Sequence, residues 1–323
     1  MLCIECLRYA LNANDLHFTY YFSFRRKYDY ENYLCSLLIE QSSVRRTAFA
    51  VRSFNVEVAQ IRDLAINDIA TQFRFQFWID IVNDIFDEKK SGTITSGSQP
   101  IAYELNKCYL TSNKSLSKKW FKSLIESRNS DINLSNFPFS TLKDLETYFD
   151  HSLSPVFYLI NEAAKSIYTS NATKSSSRSS TLQLKLDHIG NHVAKAQGYA
   201  NILRGISHNA KYGRCYIPTE MLIKHKLSFE DLLRKLQTQA VKDVCFELAT
   251  SSHQHLEKAK ALCKDKDVHN WLSLFIPIIP IDRYLRRLQQ SDFNAFDSKL
   301  MRREGSLPLR IWTNFKLMKY RLK

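Results

Sequence analysis

Apolar side chains return every three or four residues through nearly the whole chain, and only seven glycines and seven prolines interrupt 323 residues. Sandwiches and doubly wound α/β folds need many tight turns and glycine-rich connections. This chain cannot supply them, so its sequence predicts an all-α fold. At 44% hydrophobic residues it has the side chains to fill a large core.

The helical period can be followed segment by segment. Val51, Phe54, Val58 and Ile61 share one face, as do Trp78, Val82 and Ile85 in the next stretch. "KKSGTITSGSQP" then reads as a surface loop. Helices resume through "PIAYELNKCYL" and "LSKKWFKSLIESRNS", and Leu145, Phe149, Val156, Leu159 and Ile160 mark a long helix disturbed at Pro155. Residues 169–180, a serine-rich polar run, read as a loop inserted in one domain. From Leu184 to Arg204 a helix turns Ile189, Val193, Ala196, Ala200 and Leu203 inward, while Gly190, Ala194 and Gly198 form a second line of small residues. Glycine inside a helix costs about 1 kcal/mol relative to alanine, so close packing or a bound ligand is expected to offset it. Further on, "SFED" is a capping-box pattern, and Trp271 to Ile281 reads as a buried connection carrying Pro277 and Pro280. No run of about 18 apolar residues is present to span a bilayer.

A net charge of +14 points to an acidic partner. No Lys/Arg block with interleaved aromatics forms a nucleic-acid stripe, so an anionic membrane surface or a protein is expected instead. Seven scattered cysteines do not make a disulfide framework and fit a reducing compartment; Cys3 and Cys6 alone cannot supply the four ligands of a zinc site. His188 and His192 lie four apart with no third ligand evident, and His253 and His255 diverge along their helix. Residues 1–27 read as a presequence or an unstructured N-terminus. Residues 301–323 read as a basic tail, helical or extended. Nothing in the chain carries a glycine-rich phosphate loop or a nucleophile motif.

Four segments, in order, carry a resemblance. "HVAKAQGYANILRGISHNAKYGRCYIPTEML" (192–222) resembles the second signature of the squalene and phytoene synthases, in which a helix ending N-I-L-R-D precedes R-G-R-x-Y-x-P. "RRTAFAVRSFNVEVAQIRD" (45–63) resembles the first signature, "RFQFWIDIVNDIF" the R-x-Q-W-W segment, and "IPIIPIDRYLRRLQQSDFNAF" the C-terminal helices. The resemblance spans Tyr28 to Phe296. It implies the all-helical isoprenoid-synthase fold with a central pocket, in a domain covering residues 28–300.

The departures from the family decide the functional expectation. Active synthases place paired aspartates, four apart on a helix, where this chain has Ala59 with Asp63 and Gly205 with Asn209. Such pairs face one way and hold the Mg²⁺ that bridges a prenyl diphosphate to the protein. Only Asp63 keeps its acid, so the resemblance implies a pseudoenzyme with no cofactor and no bound metal. Arg204, Arg214 and Tyr216 are then the remnants of the ligand pocket. "KYDYENYLCSLL", "FNVEVAQ" and "KAQG" further resemble a mitochondrial branch of the family that serves in building respiratory complex I. That implies partners among complex I subunits or assembly intermediates, and a peripheral position on the anionic matrix side of the inner membrane. The alternative is a Mg-dependent prenyl diphosphate transferase that relies on Asp63 and Glu57.

Overall fold

A computed structural model describes residues 26–64, 67–95, 98–133, 139–170, 176–234, 237–301 and 304–321. Among them no strand occurs, and the all-α expectation holds. No helix among them is long and apolar enough to cross a membrane. The chain forms two compact units, one from residues 1–129 and 155–187, the other from 130–154 and 188–323. These divisions fall inside or between helices rather than at Gly- or Pro-rich linkers, so composition alone does not reveal them. The presequence expected at 1–27 falls almost wholly outside the described residues, as do Cys3 and Cys6.

The first unit holds α1 (Tyr30–Leu37), α2 (Ser42–Leu64), α3 (Asp68–Ile85), α4 (Pro100–Thr111), most of α5 (Lys118–Asn133) and most of α7 (Ser154–Ser170). Asn67 begins α3 by accepting the Ala70 amide at 2.8 Å, and Pro100 sits at the start of α4, where its missing N–H costs nothing. The α2 face named from the sequence is fully inside: Val51, Phe54, Val58 and Ile61 are each 2% exposed or less. Phe54 meets the rings of Trp78 at 5.2 Å and Phe121 at 5.5 Å, edge to face in both cases, the geometry aromatic quadrupoles prefer. One charged pair joins α2 to α4, where Arg46 donates two 2.9 Å bonds to the wholly buried Glu104.

Pro155 does more than disturb one helix. The chain makes two, α6 (Leu142–Ser152) and α7, with Leu153 between them and Pro155 in the first turn of α7. Proline tolerates that position, where no intrahelical N–H is needed. The polar loop expected at 169–180 is also narrower: α7 reaches Ser170 and α8 begins at Ser176, while 171–175 lie outside the described residues. Extending an existing helix costs far less than nucleating one, so serines beside long helices join them.

The second unit holds α6, residues 188–211 of α8 (Ser176–Lys211), α9 (Thr219–Lys224), α10 (Phe229–Leu233), α11 (Gln239–Leu262), α12 (Ile278–Gln290), α13 (Ser298–Met301) and α14 (Leu307–Arg321). Thr141 and Ser228 open α6 and α10 with capping boxes closed by Asp144 and Asp231. Lys266–Phe275 is a 3₁₀ segment, and residues 271–278 are buried throughout, as the connection was expected to be. The predicted tail is mostly the helix α14, packed on α12 and on that 3₁₀ segment through Leu307, Ile311 and Phe315. Cys215, Cys245 and Cys263 here, like Cys35 and Cys108 in the first unit, are buried and form no disulfide.

In α8 the inward residues are those the period names, Ile189, Val193, Ala196, Ala200 and Leu203. The small-residue line has a definite use at Gly198. A Cβ there would stand 2.6 Å from the Phe149 ring of α6, closer than real contacts allow. Glycine to alanine inside a helix ordinarily stabilises by about 1 kcal/mol. Gly198→Ala is expected instead to destabilise by roughly 1–3 kcal/mol through overpacking, read by urea unfolding, and adding Phe149→Leu should recover part of the loss.

Candidate functional site

The second-signature residues sit at the end of α8. Gly213, with φ +67°, turns the chain there: its amide donates to Ala210 O at 3.1 Å and the Arg214 amide to Asn209 O at 2.9 Å. This is the Schellman closure, which glycine enters without a Cβ penalty. One turn back, Gly205 and Asn209 share a face, with the Asn209 Nδ2 3.0 Å from where a Cβ on Gly205 would be. The asparagine amide thus lies against the position at which the resemblance to the family expects a carboxylate.

The expected pocket remnants divide. Arg204 lies with its guanidinium 4.3 Å from the centre of the Tyr284 ring of α12, a cation–π contact with a buried tyrosine. Arg214 lies over Tyr212 at 5.1 Å. Arg214, Tyr216 and Asn209 line one crevice, with Ile202, Ile206 and Cys215 among its other walls. Its cavity volume is about 10 Å³, at the lower limit for a single water.

The first-signature residues belong to α2. Ala59 is half-buried and Asp63 is exposed near the helix end, beside Arg62. Glu57, the acid on which the transferase alternative relied, lies about 160° around the helix from Ala59 and about 120° from Asp63 at 3.6 residues per turn. It cannot restore the missing pair. Burial pushes its carboxyl above the ordinary range, and the charge of Arg74 only partly reverses this.

These residues do not fit the Mg²⁺ that the family's chemistry implies. Magnesium selects hard, anionic oxygen donors and near-octahedral geometry. The four positions offer one exposed carboxylate, one neutral amide, a methyl group and a glycine. Among the described residues no three His, Cys, Asp or Glu side chains are placed to hold a metal ion.

One polar cluster in the second unit has no counterpart in the sequence reading. Glu146 of α6 accepts from Tyr199 at 2.9 Å and from Lys195 at 3.1 Å, both on α8, and His255 Nε2 of α11 lies 3.1 Å from the same carboxylate. Lys195 also reaches Asp150 at 3.2 Å, and Asn191 donates to Asp150 and to Ser154. His255 Nδ1 is 2.9 Å from His192 Nδ1. With His255 Nε2–H directed at the carboxylate, its Nδ1 accepts and His192 Nδ1–H donates. The His188 ring lies tilted by 37° against that of His192, 4.9 Å between centroids, whereas His253 points outward, so the divergence read from the sequence is real. The partners are 63 and 109 residues apart, and nothing in local spacing announces them.

Burial, and after it the charges of His255, His188, Lys258 and Lys195, pushes His192 down to about 4. His255 is lowered too, by burial against the pull of Glu146. Burial raises the Glu146 carboxyl, but the bonds from His255, Lys195 and Tyr199 outweigh it and hold the group below its usual range.

Comparison with known proteins places this geometry. Residues 25–312 match the family model described as Squalene/phytoene synthase. The chain belongs to the squalene/phytoene synthase family. Within it, the chain is 33% identical to "NADH dehydrogenase (ubiquinone) complex I, assembly factor 6" of Bos taurus and 31% identical to the protein of that name from Homo sapiens. Each match runs over 89% of this chain and 78% of the relative. Among solved structures, a dehydrosqualene synthase aligns with a TM-score of 0.70 at 16% identity, over 93% of this chain and 95% of its own. At that identity the likeness is one of fold.

The histidine pair gives a test by pH. Both folded pKa values lie below the unfolded value of about 6.5, so the unfolded chain binds more protons under mild acid. The contribution is complete above about pH 6.5 and is lost as pH falls, for His192 through about 4. The urea midpoint is expected to decline across that window, and His192→Gln should flatten the decline. An equal slope in the variant would remove the pair from the account.

Proposed function

We propose that this chain is a non-catalytic member of its family that serves in the assembly of respiratory complex I, as its bovine and human relatives are named to do. In this reading it associates with complex I subunits or assembly intermediates at the matrix side of the mitochondrial inner membrane. It is held there peripherally, after a presequence within residues 1–27. Residues 28–300 form its synthase-like domain, in which Arg204, Arg214 and Tyr216 keep the shape of an old ligand site. A net charge of +14 supports the membrane setting, since each Lys or Arg near an anionic surface gains about 1 kcal/mol.

The observation that carries the reading is the side-chain set at positions 59, 63, 205 and 209. Prenyl diphosphate ionisation needs cations clamped between facing carboxylates, and Ala59, Gly205 and Asn209 supply none. Arg204 is engaged with Tyr284.

Two measurements test it. Cells depleted of the protein are expected to lose assembled complex I, and Asp63→Ala should restore it as fully as the unaltered chain. A folded Asp63→Ala protein that failed to restore complex I would argue for a surviving metal function. Purified protein given farnesyl or geranylgeranyl diphosphate with Mg²⁺ should yield no product above a boiled control, and product formation would establish the transferase alternative.

A further inference from the structure

The helix α14 is apolar on two sides. Leu307, Ile311 and Phe315 recur every four residues and are 6%, 0% and 3% exposed. This row fixes the helix on α12 and the 3₁₀ segment 266–275. The outward side carries Leu309, Leu317 and Tyr320, exposed by 60%, 45% and 78%.

Their surroundings are basic. Arg310 and Lys316 are exposed on the same helix, Lys319 is half-buried, and residues 305–323 contain no Asp or Glu. Lys316 Nζ lies 6.0 Å from the centre of the Trp312 ring and Lys319 Nζ 5.8 Å from that of Phe315. Their stems therefore run along apolar surface and carry the ammonium groups at its margin, as lysine does at an interface. Aliphatic and aromatic side chains facing out among cations, with no acid between them, are the composition of a helix lying in the plane of an anionic bilayer surface. Another exposed apolar row, Ile69, Phe73 and Phe77 on α3, differs. It stands beside Asp68, Arg74 and Asp80 and offers no excess of positive charge.

We propose that the outward face of α14 docks on the surface of a membrane containing anionic lipid, with Leu309, Leu317 and Tyr320 entering the headgroup layer and Arg310, Lys316 and Lys319 meeting the lipid phosphates. This deepens the peripheral association proposed above by naming the surface responsible.

The test is flotation of the full chain with vesicles of equal parts phosphatidylcholine and phosphatidylglycerol, against vesicles of phosphatidylcholine alone. The unaltered protein is expected to float with the anionic vesicles, less so at high salt. Lys316→Gln and Lys319→Gln should each weaken that binding about fivefold. Leu309→Asn combined with Leu317→Asn and Tyr320→Asn should weaken it on the order of tenfold or more. Unchanged far-ultraviolet circular dichroism and melting temperature would show these exposed substitutions leave the fold intact. Phe73→Ser on α3 should bind as the unaltered chain does. No binding to anionic vesicles, equal binding to neutral ones, undiminished binding by the α14 variants, or an equal loss in Phe73→Ser would each overturn the proposal. Complex I content separates the two readings. Variants of α14 that bind vesicles normally yet lose complex I would mean the face serves a protein, which sinks the lipid surface and leaves the assembly role. A depleted cell with normal complex I would sink the assembly role whatever the vesicles show.

Discussion

The seating of the Phe149 ring on Gly198 sets the geometry of the second unit. With no side chain at 198, α6 comes as close to α8 as an aromatic ring allows, and the rotation of α8 about its axis is fixed by the contact. One turn earlier in α6, Glu146 then faces Lys195 and Tyr199, and one residue beyond the ring Asp150 faces Lys195 and Asn191. His255 closes the cluster from α11 and pairs there with His192 of α8. Hydrogen bonds in such a partly desolvated cluster are strong only while every member is satisfied. The approach permitted by one glycine therefore decides whether that polar network exists.

The network and the signature residues are separated along α8 rather than around it. Tyr199 lies six residues before Gly205, about 9 Å of helix rise, and Lys195 ten residues before it, about 15 Å. Asn191 and Asn209, 18 residues apart, point the same way five turns from each other. On the face of Gly205 and Asn209 the chain has the helix-ending turn at Gly213 that delivers Arg214 and Tyr216, and in the proposed reading it is this face that has lost the family's acids. Arg204 is engaged with the Tyr284 ring. A scaffold survives this loss because the core is held by residues on other faces: Ile189, Val193, Ala196, Ala200 and Leu203 are all buried.

Positive charge without a nucleic-acid stripe is distributed in a way composition cannot convey. Much of it is paired: Arg283 and Arg287 bind Glu304, Lys260 binds Asp282, and Arg46 binds Glu104. On α14, Arg310, Lys316 and Lys319 lie among exposed apolar side chains on a segment with no acid. In the proposed docking, local arrangement there, rather than the net charge of the chain, forms the surface for an anionic partner.

The linear sequence by itself determined that the chain is helical, which residues face the cores, and that Ala59, Gly205 and Asn209 carry no carboxylate. Each of those depends on neighbours within about two helical turns, where the 3.6-residue period acts directly. Capping at Ser228 and the buried stretch from Trp271 were legible for the same reason. Tertiary structure alone decided that α6 and α7 are separate helices around Leu153, that the serine run at 176–180 joins α8, and that Phe149 is the reason for Gly198. It also decided that His192, His255 and Glu146 converge from three helices, and that α14 presents a second apolar row outward. These depend on contacts between residues tens of positions apart, whose distance is set by how whole helices pack, and no local period records that.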